Sequence, residues 1–199
     1  KADMADAQPR LARREAVARL LQDRGGLLVV SGLGSATYDC AAAGDDPRNF
    51  YLWGAMGGTA ALALGLAQAQ PNLPVAAITG DGDMLMGLGS LATIAAAAPA
   101  NLTVIVLDNE VYGETGAQPT ATARGVSLVE VARGCGIEAL EDIRDMNALG
   151  TLAARMQRGE GPLFANIKIE AGEHPRVLPA RDGAYLRSRF REAVLGAGP

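Results

Sequence analysis

VAAITGDGDMLMGLGSLATIAAAAPANLTVIVLDNEVYGETGAQPT, residues Val75 to Thr120, decides how this chain folds. An apolar run, Val75 to Thr79, breaks at Gly80-Asp81-Gly82, and a Gly- and Ala-rich helical stretch follows. A second apolar run, Leu102 to Leu107, ends in Asp108-Asn109. Two short β-branched runs around a helix-length stretch read as a βαβ unit. A right-handed crossover puts both strand C-termini on one edge of a parallel sheet. Asp81 and Asn109 therefore meet at the edge where α/β sheets bind ligands.

Both residues offer hard oxygen donors, which suit Mg²⁺, an ion that completes its octahedron with phosphates and water. Gly80 and Gly82 let backbone N–H groups approach a phosphate beside a helix N-terminus. Other Gly/Asp motifs fail. A calcium loop from Asp81 would need an oxygen ligand at Leu85, Gly at Met86 and Glu at Ala92. No Gly-Lys-Ser/Thr sequence serves a nucleotide phosphate loop. Gly32-Leu33-Gly34 follows an apolar run, but the third glycine of a dinucleotide fingerprint would fall at Thr37.

Gly80-Asp81-Gly82, then 26 residues, then Asn109 resembles the motif of thiamine diphosphate enzymes, a GDG followed by an Asn pair. The pair here reads Asp108-Asn109, and the metal-ligand position, the second, is kept. The resemblance implies Mg²⁺ held by Asp81, Asn109 and the backbone carbonyl of Val111, with Tyr112 beside the cofactor. Asp83 stands where many relatives carry a small hydroxyl residue. Its carboxylate would repel phosphate unless it points away, so only its backbone N–H is expected at the diphosphate.

Outward from this stretch, Leu27 to Val30 reads as a buried strand, and the loop after it would bring Gly34, Ser35 and Thr37 to the diphosphate by the same resemblance. Gly54-Ala55-Met56-Gly57 precedes a long Ala/Leu/Gly helix ending near Gln70, and resembles the family's Gly-x-bulky-Gly. By that likeness Met56 props the cofactor into a bent shape and the Gly54 carbonyl accepts from its 4′-amino group. Core filling is the ordinary alternative for Met56. Glu110 to Thr120 is polar and Gly-rich over the same edge, so Glu114, Thr115 and Gln118 are candidates to meet a substrate.

The remainder reads as α/β grammar. Pro9 to Asp23 is an amphipathic helix with Leu11, Val17, Leu20 and Leu21 on one face and Arg13, Arg14 and Glu15 on another. Helices are expected over Leu128–Cys135, Asn147–Gln157 and Asp182–Leu195, with Asp145 or Asn147 as a cap, and strands over Ile137–Leu140 and Leu163–Ile169. The fold expected is α/β: three layers, α/β/α, around a mostly parallel sheet. The 199 residues suit one domain, with ends at 1–8 and 196–199 expected to be flexible.

Half the residues (49%) are apolar and the net charge is −4, which gives no reason to expect nucleic acid or an anionic membrane as partner. No apolar run reaches the roughly 18 residues of a membrane span. Cys40 and Cys135 are isolated and fit a reducing, cytoplasmic compartment better than metal clusters. His174 and the C-terminal arginines read as surface residues.

In thiamine diphosphate enzymes a glutamate of a separate pyrimidine-binding domain activates the cofactor, and this chain has room only for the diphosphate-binding domain. The resemblance therefore implies a partner subunit carrying that glutamate, in a heterodimer or α₂β₂-like assembly, unless the chain is a piece of a longer one. GDGDMLMGLGSLATIA, NLTVIVLDNEVYG and NFYLWGAMG resemble the sulfopyruvate and phosphonopyruvate decarboxylases. The implied substrate is a small 2-oxo acid with an anionic 3-substituent. No Arg or Lys lies between Val75 and Thr120, so the cation for that substituent must come from Arg124, a later Arg or the partner. The alternatives are another split enzyme of the family (acetolactate synthase-like or a 2-oxoacid oxidoreductase) and a non-catalytic cofactor-binding subunit.

Overall fold

Alternating side chains in the two central runs are divided between two apolar layers in a computed structural model that describes residues 9–196. The ends expected to be flexible lie outside the described residues, Gly196 excepted. In chain order the elements are α1 (Arg13–Leu21), β1 (Leu28–Ser31), α2 (Ser35–Ala42), β2 (Asn49–Tyr51), α3 (Thr59–Ala69) and β3 (Val75–Gly80). There follow α4 (Asp81–Met86), α5 (Ser90–Ala97), β4 (Leu102–Asp108), β5 (Val111–Tyr112) and β6 (Gln118–Pro119). The chain closes with α6 (Leu128–Gly134), β7 (Glu138–Ala139), α7 (Met146–Arg158), β8 (Leu163–Lys168) and α8 (Gly183–Leu195).

Six strands pair in the order β2-β1-β3-β4-β8-β7, every pair parallel, while β5 and β6 form a small antiparallel hairpin. One face buries Ala76, Ile78, Ile105 and Leu107 under α1, α2 and α7. The other buries Val75, Ala77, Val104 and Val106 under α3, α5 and α6. This is the expected three-layer α/β/α architecture. Each fully buried Ile, Leu or Val contributes about 1.5–3 kcal/mol of transfer free energy. Among the described residues, no helix is long and apolar enough to cross a membrane.

Three local expectations are corrected. The helix after the GDG turn begins at Asp81 itself and splits into α4 and α5 at Gly87-Leu88-Gly89. The loop before α3 crosses there, and a Cβ on Gly87 would lie 2.1 Å from the Gly57 carbonyl oxygen. Asn49–Tyr51 is a strand, where the sequence suggests no element. Arg13 is not on a solvated face: it is 4% exposed and paired with the fully buried Asp39 of α2.

Asp145, not Asn147, caps α7, accepting from the N–H groups of Asn147 and Ala148 at 2.9 Å each. Strand β8 is buried along its whole length. Its polar members Asn166 and Lys168 face a buried acid described below.

Candidate active site

Strands β3 and β4 run side by side, with Gly80 paired to Leu107, so Asp81 and Asn109 leave the sheet at the same edge. A cavity of about 390 Å³ opens there. Gly34, Ser35, Met56, Gly80, Asp81 and Gly82 form one side of its wall. Asp83, Asn109, Val111, Tyr112, Glu114 and Thr115 form another. Met56 and Tyr112 converge on Gly82: a Cβ there would sit 2.5 Å from the Tyr112 ring and 3.3 Å from the Met56 methyl. Only glycine leaves this floor open.

Asp81 is 2% exposed. Its Oδ2 accepts from Thr120 Oγ1 at 2.6 Å, and Thr122 Oγ1 lies 3.2 Å from the same oxygen and 2.9 Å from Thr120 Oγ1. Burial pushes its pKa up from 3.8 to about 6, the threonine hydrogen bond pulls the other way, and the charge of nearby Asp108 raises it further. No cation pairs with Asp81 among the described residues. A buried carboxylate on a cavity wall with no counter-charge is suited to a metal ion. Asn109 Oδ1 accepts from Val111 N at 3.1 Å, which closes a tight turn beside Asp81. Asp81, Asn109 and Val111 all line this cavity, and the donors they could offer a metal, a carboxylate, an amide oxygen and a backbone carbonyl, are all oxygen, a chemistry that suits Mg²⁺ rather than a softer ion.

Asp108, the departure from the Asn pair, is a different kind of acid. It is fully buried and accepts from Lys168 Nζ at 2.6 Å, Thr122 Oγ1 at 2.8 Å, Asn166 Nδ2 at 3.0 Å and Glu110 N at 3.1 Å. Lys168 also reaches Glu110 Oε1 at 3.0 Å, and Glu110 pairs with Arg10 at 2.6 Å. Burial works against the charge on Lys168, but the two carboxylates beside it hold its pKa above the ordinary value. Thr122 thus links the ion-paired Asp108 to the unpaired Asp81.

Asp83 commits both carboxylate oxygens to bonds within the fold. It accepts from Thr59 Oγ1 at 2.6 Å, from Thr79 Oγ1 and from the Gly57 backbone N–H. The side chain ties the loop that carries Met56 to α4.

Three expected residues stand off the cavity wall. Thr37 is fully buried and donates its hydroxyl to the Gly32 carbonyl at 2.7 Å, 2.7 Å also from Ser31 Oγ, so it braces the loop from behind. Gly54 sits in an exposed bend. Gln118 is exposed and exchanges hydrogen bonds with Thr115, at 2.9 Å each, across the hairpin.

Sequence reasoning missed Thr120, Thr122 and Lys168, which build the acid pair, and Arg13, which lines the cavity from α1. The C-terminal arginines are mostly on a solvated face, as expected: Arg176 and Arg181 are exposed and lie over Tyr38 and Trp53, at 5.5 and 5.0 Å from the ring centroids, while Arg189 is partly buried and pairs with Asp45 at 2.7 Å.

Residues 33–167 match the family described as thiamine pyrophosphate enzyme, C-terminal TPP binding domain. The chain is 35% identical to sulfopyruvate decarboxylase subunit beta of Methanothermobacter thermautotrophicus, over 94% of this chain and 97% of that one. It is 40% identical to the subunit of the same name from Methanocaldococcus jannaschii, over 84% of this chain and 88% of that one. It is 37% identical to phosphonopyruvate decarboxylase of Streptomyces viridochromogenes over 83% of this chain, which there spans only 42% of the relative's length. With the GDG cavity and its oxygen donors at the edge of a parallel sheet, these matches place the chain in the thiamine pyrophosphate enzymes, among relatives named as decarboxylases.

Proposed function

We propose that this chain is the diphosphate-binding, beta-type subunit of a Mg²⁺-dependent decarboxylase acting on a 2-oxo acid with an anionic 3-substituent, sulfopyruvate before phosphonopyruvate. The observation that carries the reading is co-extension: the chain and a sulfopyruvate decarboxylase beta subunit match over nearly the whole of both. Its active site is shared with a pyrimidine-domain subunit, which supplies the activating glutamate. The exposed Met86, 64% accessible and on the cavity rim, supports closure of the cavity by a partner. The free thiols Cys40 and Cys135 fit a cytoplasmic setting.

Bound thiamine diphosphate would supply a carbon nucleophile and an electron sink for loss of CO₂. The chain's own residues position and shield. Asp81, Asn109 and the Val111 carbonyl would hold Mg²⁺ against the diphosphate, with Thr120 and Thr122 fixing the Asp81 carboxylate. The backbone N–H groups around Gly80-Asp81-Gly82 and those of Gly34 and Ser35 would meet phosphate oxygens. Met56 and Tyr112, over Gly82, would shape the apolar floor and keep water from it. Glu114 and Thr115 stand where a substrate enters.

Titration of thiamine diphosphate and Mg²⁺ by calorimetry, into the chain alone and co-expressed with a pyrimidine-domain subunit, tests the reading. Tight binding in the pair with CO₂ release from sulfopyruvate is expected. Binding in neither, or binding in the pair without turnover of any 2-oxo acid, would overturn it.

A further inference from the structure

A second cavity, about 300 Å³, adjoins the first. The two share Arg13, Ser35, Asn109, Val111, Gly113 and Glu114, so Glu114, placed above where a substrate enters, stands on both walls. The second is closed by Arg14, Tyr38, His174 and Arg176. We propose that it is the subsite for the anionic 3-substituent of the substrate, a sulfonate or phosphonate, with Arg176, Arg14 and His174 as the specificity-determining residues. The proposal rests on the decarboxylase reading above.

Charge carries the argument first. Arg13 and Arg14 share a single buried partner, Asp39, so neither guanidinium has a carboxylate of its own. Arg14 spends Nε on Asp39 at 3.1 Å and Nη2 on the Pro175 carbonyl at 2.8 Å, and its Nη1 has no hydrogen bond among the described residues. Arg176 approaches Glu114 Oε2 only to 3.8 Å, beyond hydrogen-bond range, and its guanidinium lies over the Tyr38 ring. A guanidinium on an aromatic face keeps its N–H edge for an oxyanion, and arginine's fork matches tetrahedral anions. Glu114 and Glu173 also lie on this wall, so an arriving anion competes with Glu114 for Arg176 rather than entering a bare cationic hole.

The site is also built rather than draped. The segment bearing His174 and Arg176 is tied down by Arg13 Nη1 to the Gly172 carbonyl at 3.2 Å, by Arg14 to Pro175, and by Glu170 N to the Leu11 carbonyl at 2.9 Å. The helix that supplies the cations thus also fixes the loop that completes them. Gly34 explains the shared wall: the Glu114 carboxylate lies 2.9 Å from where a Cβ would stand, so the side chain crosses the backbone between the two cavities. The volume is at the low end of small-molecule sites and takes a head group with its neighbouring carbon.

The test uses the assembled, cofactor-loaded enzyme and two readouts. The first is the affinity for sulfoacetate, which carries the head group without the 2-oxo group, by calorimetry. The second is kcat and KM for sulfopyruvate and for pyruvate. Arg176→Ala should weaken sulfoacetate and raise the sulfopyruvate KM by about 10- to 100-fold, the loss of one charge-assisted contact. The sulfopyruvate-to-pyruvate preference should fall by the same factor, and Arg176→Lys should restore part of it. Equal losses on both substrates, or unchanged sulfoacetate affinity in Arg176→Ala and Arg14→Gln alike, would overturn the subsite. Wild-type enzyme that binds sulfoacetate through Arg176 yet turns over no 2-oxo acid would instead overturn the decarboxylase reading alone.

Discussion

Asp81 and Asp108 close adjacent strands of one sheet, are 2% and 0% exposed, and are bridged by the hydroxyl of Thr122. Asp108 has a lysine 2.6 Å away and four hydrogen-bond donors in all. Asp81 has two hydroxyls on one oxygen and no cation among the described residues. A buried charge is costly unless paired. Asp108 meets that cost inside the fold, so its role is architectural. Asp81 leaves it unmet, so its charge is stabilised by what binds in the cavity. Burial alone would have ranked the two acids as equals; their partners separate them.

Exchange of Asp81 should have the largest effect, and on binding rather than folding. Asp81→Asn is expected to lower Mg²⁺-dependent affinity for thiamine diphosphate at least 100-fold in the assembled enzyme, read by calorimetry. The apo chain should meanwhile gain stability. The folded-state pKa is raised from 3.8 to about 6, so the unfolded chain ionises first and the carboxylate loses stability as pH rises through that window. The asparagine variant escapes that loss. Its advantage in melting temperature should be absent below pH 3.8, grow up to about pH 6 and stay constant above. An advantage independent of pH would break the contrast between the two acids.

Lys168→Met should produce the reverse pattern. It strands Asp108, while Glu110 keeps Arg10, and should cost about 3–5 kcal/mol in denaturant unfolding, as for removal of one partner of a buried pair. Asp108→Asn with Lys168→Met should recover most of that loss, because the family's usual Asn at this position needs no counter-charge. If the double variant stays as unstable as the single one, Lys168 packs rather than neutralises.

Little of this contrast was visible in the sequence, though the frame around it was. The short apolar runs Val75–Thr79 and Leu102–Leu107 and the GDG-to-Asn109 spacing located the sheet, its edge and the cavity, because those signals are local or lie at a fixed distance. Lys168 lies 60 residues from Asp108, and Arg13 lies 26 from Asp39, and neither pairing leaves a periodic trace. Strand β2 escaped because its side chains are committed to polar bonds, Asn49 Nδ2 to Tyr51 Oη at 2.9 Å and Tyr51 to Asp45 at 2.8 Å, which mask the apolar pattern. The hairpin of β5 and β6 has two residues per strand and a proline, too little for any propensity to register. Thr37 looked like a phosphate contact from its place in a Gly-rich loop, but its hydroxyl is turned inward by Ser31 and Gly32.

The smallest effect on folding should come from Met56, which tests whether the cavity wall divides as the acids do. Met56 is only partly buried, in a loop whose backbone is fixed by Asp83 rather than by its own side chain. Truncation at such a position should cost about 1 kcal/mol, well under the 2–5 kcal/mol of a core methionine. Its methyl, however, faces Gly82 across the cavity floor. Met56→Ala in the assembled enzyme is therefore expected to lower turnover about 10-fold with cofactor affinity nearly kept, while Met56→Leu restores much of the rate. Met84, 2% exposed two residues after Gly82, supplies the control: Met84→Ala should unfold the chain more readily and leave the rate per folded molecule close to wild type. Should both substitutions act on stability and neither on rate, Met56 belongs with the core, and the wall of the cavity owes its shape to Tyr112 and Gly82 alone.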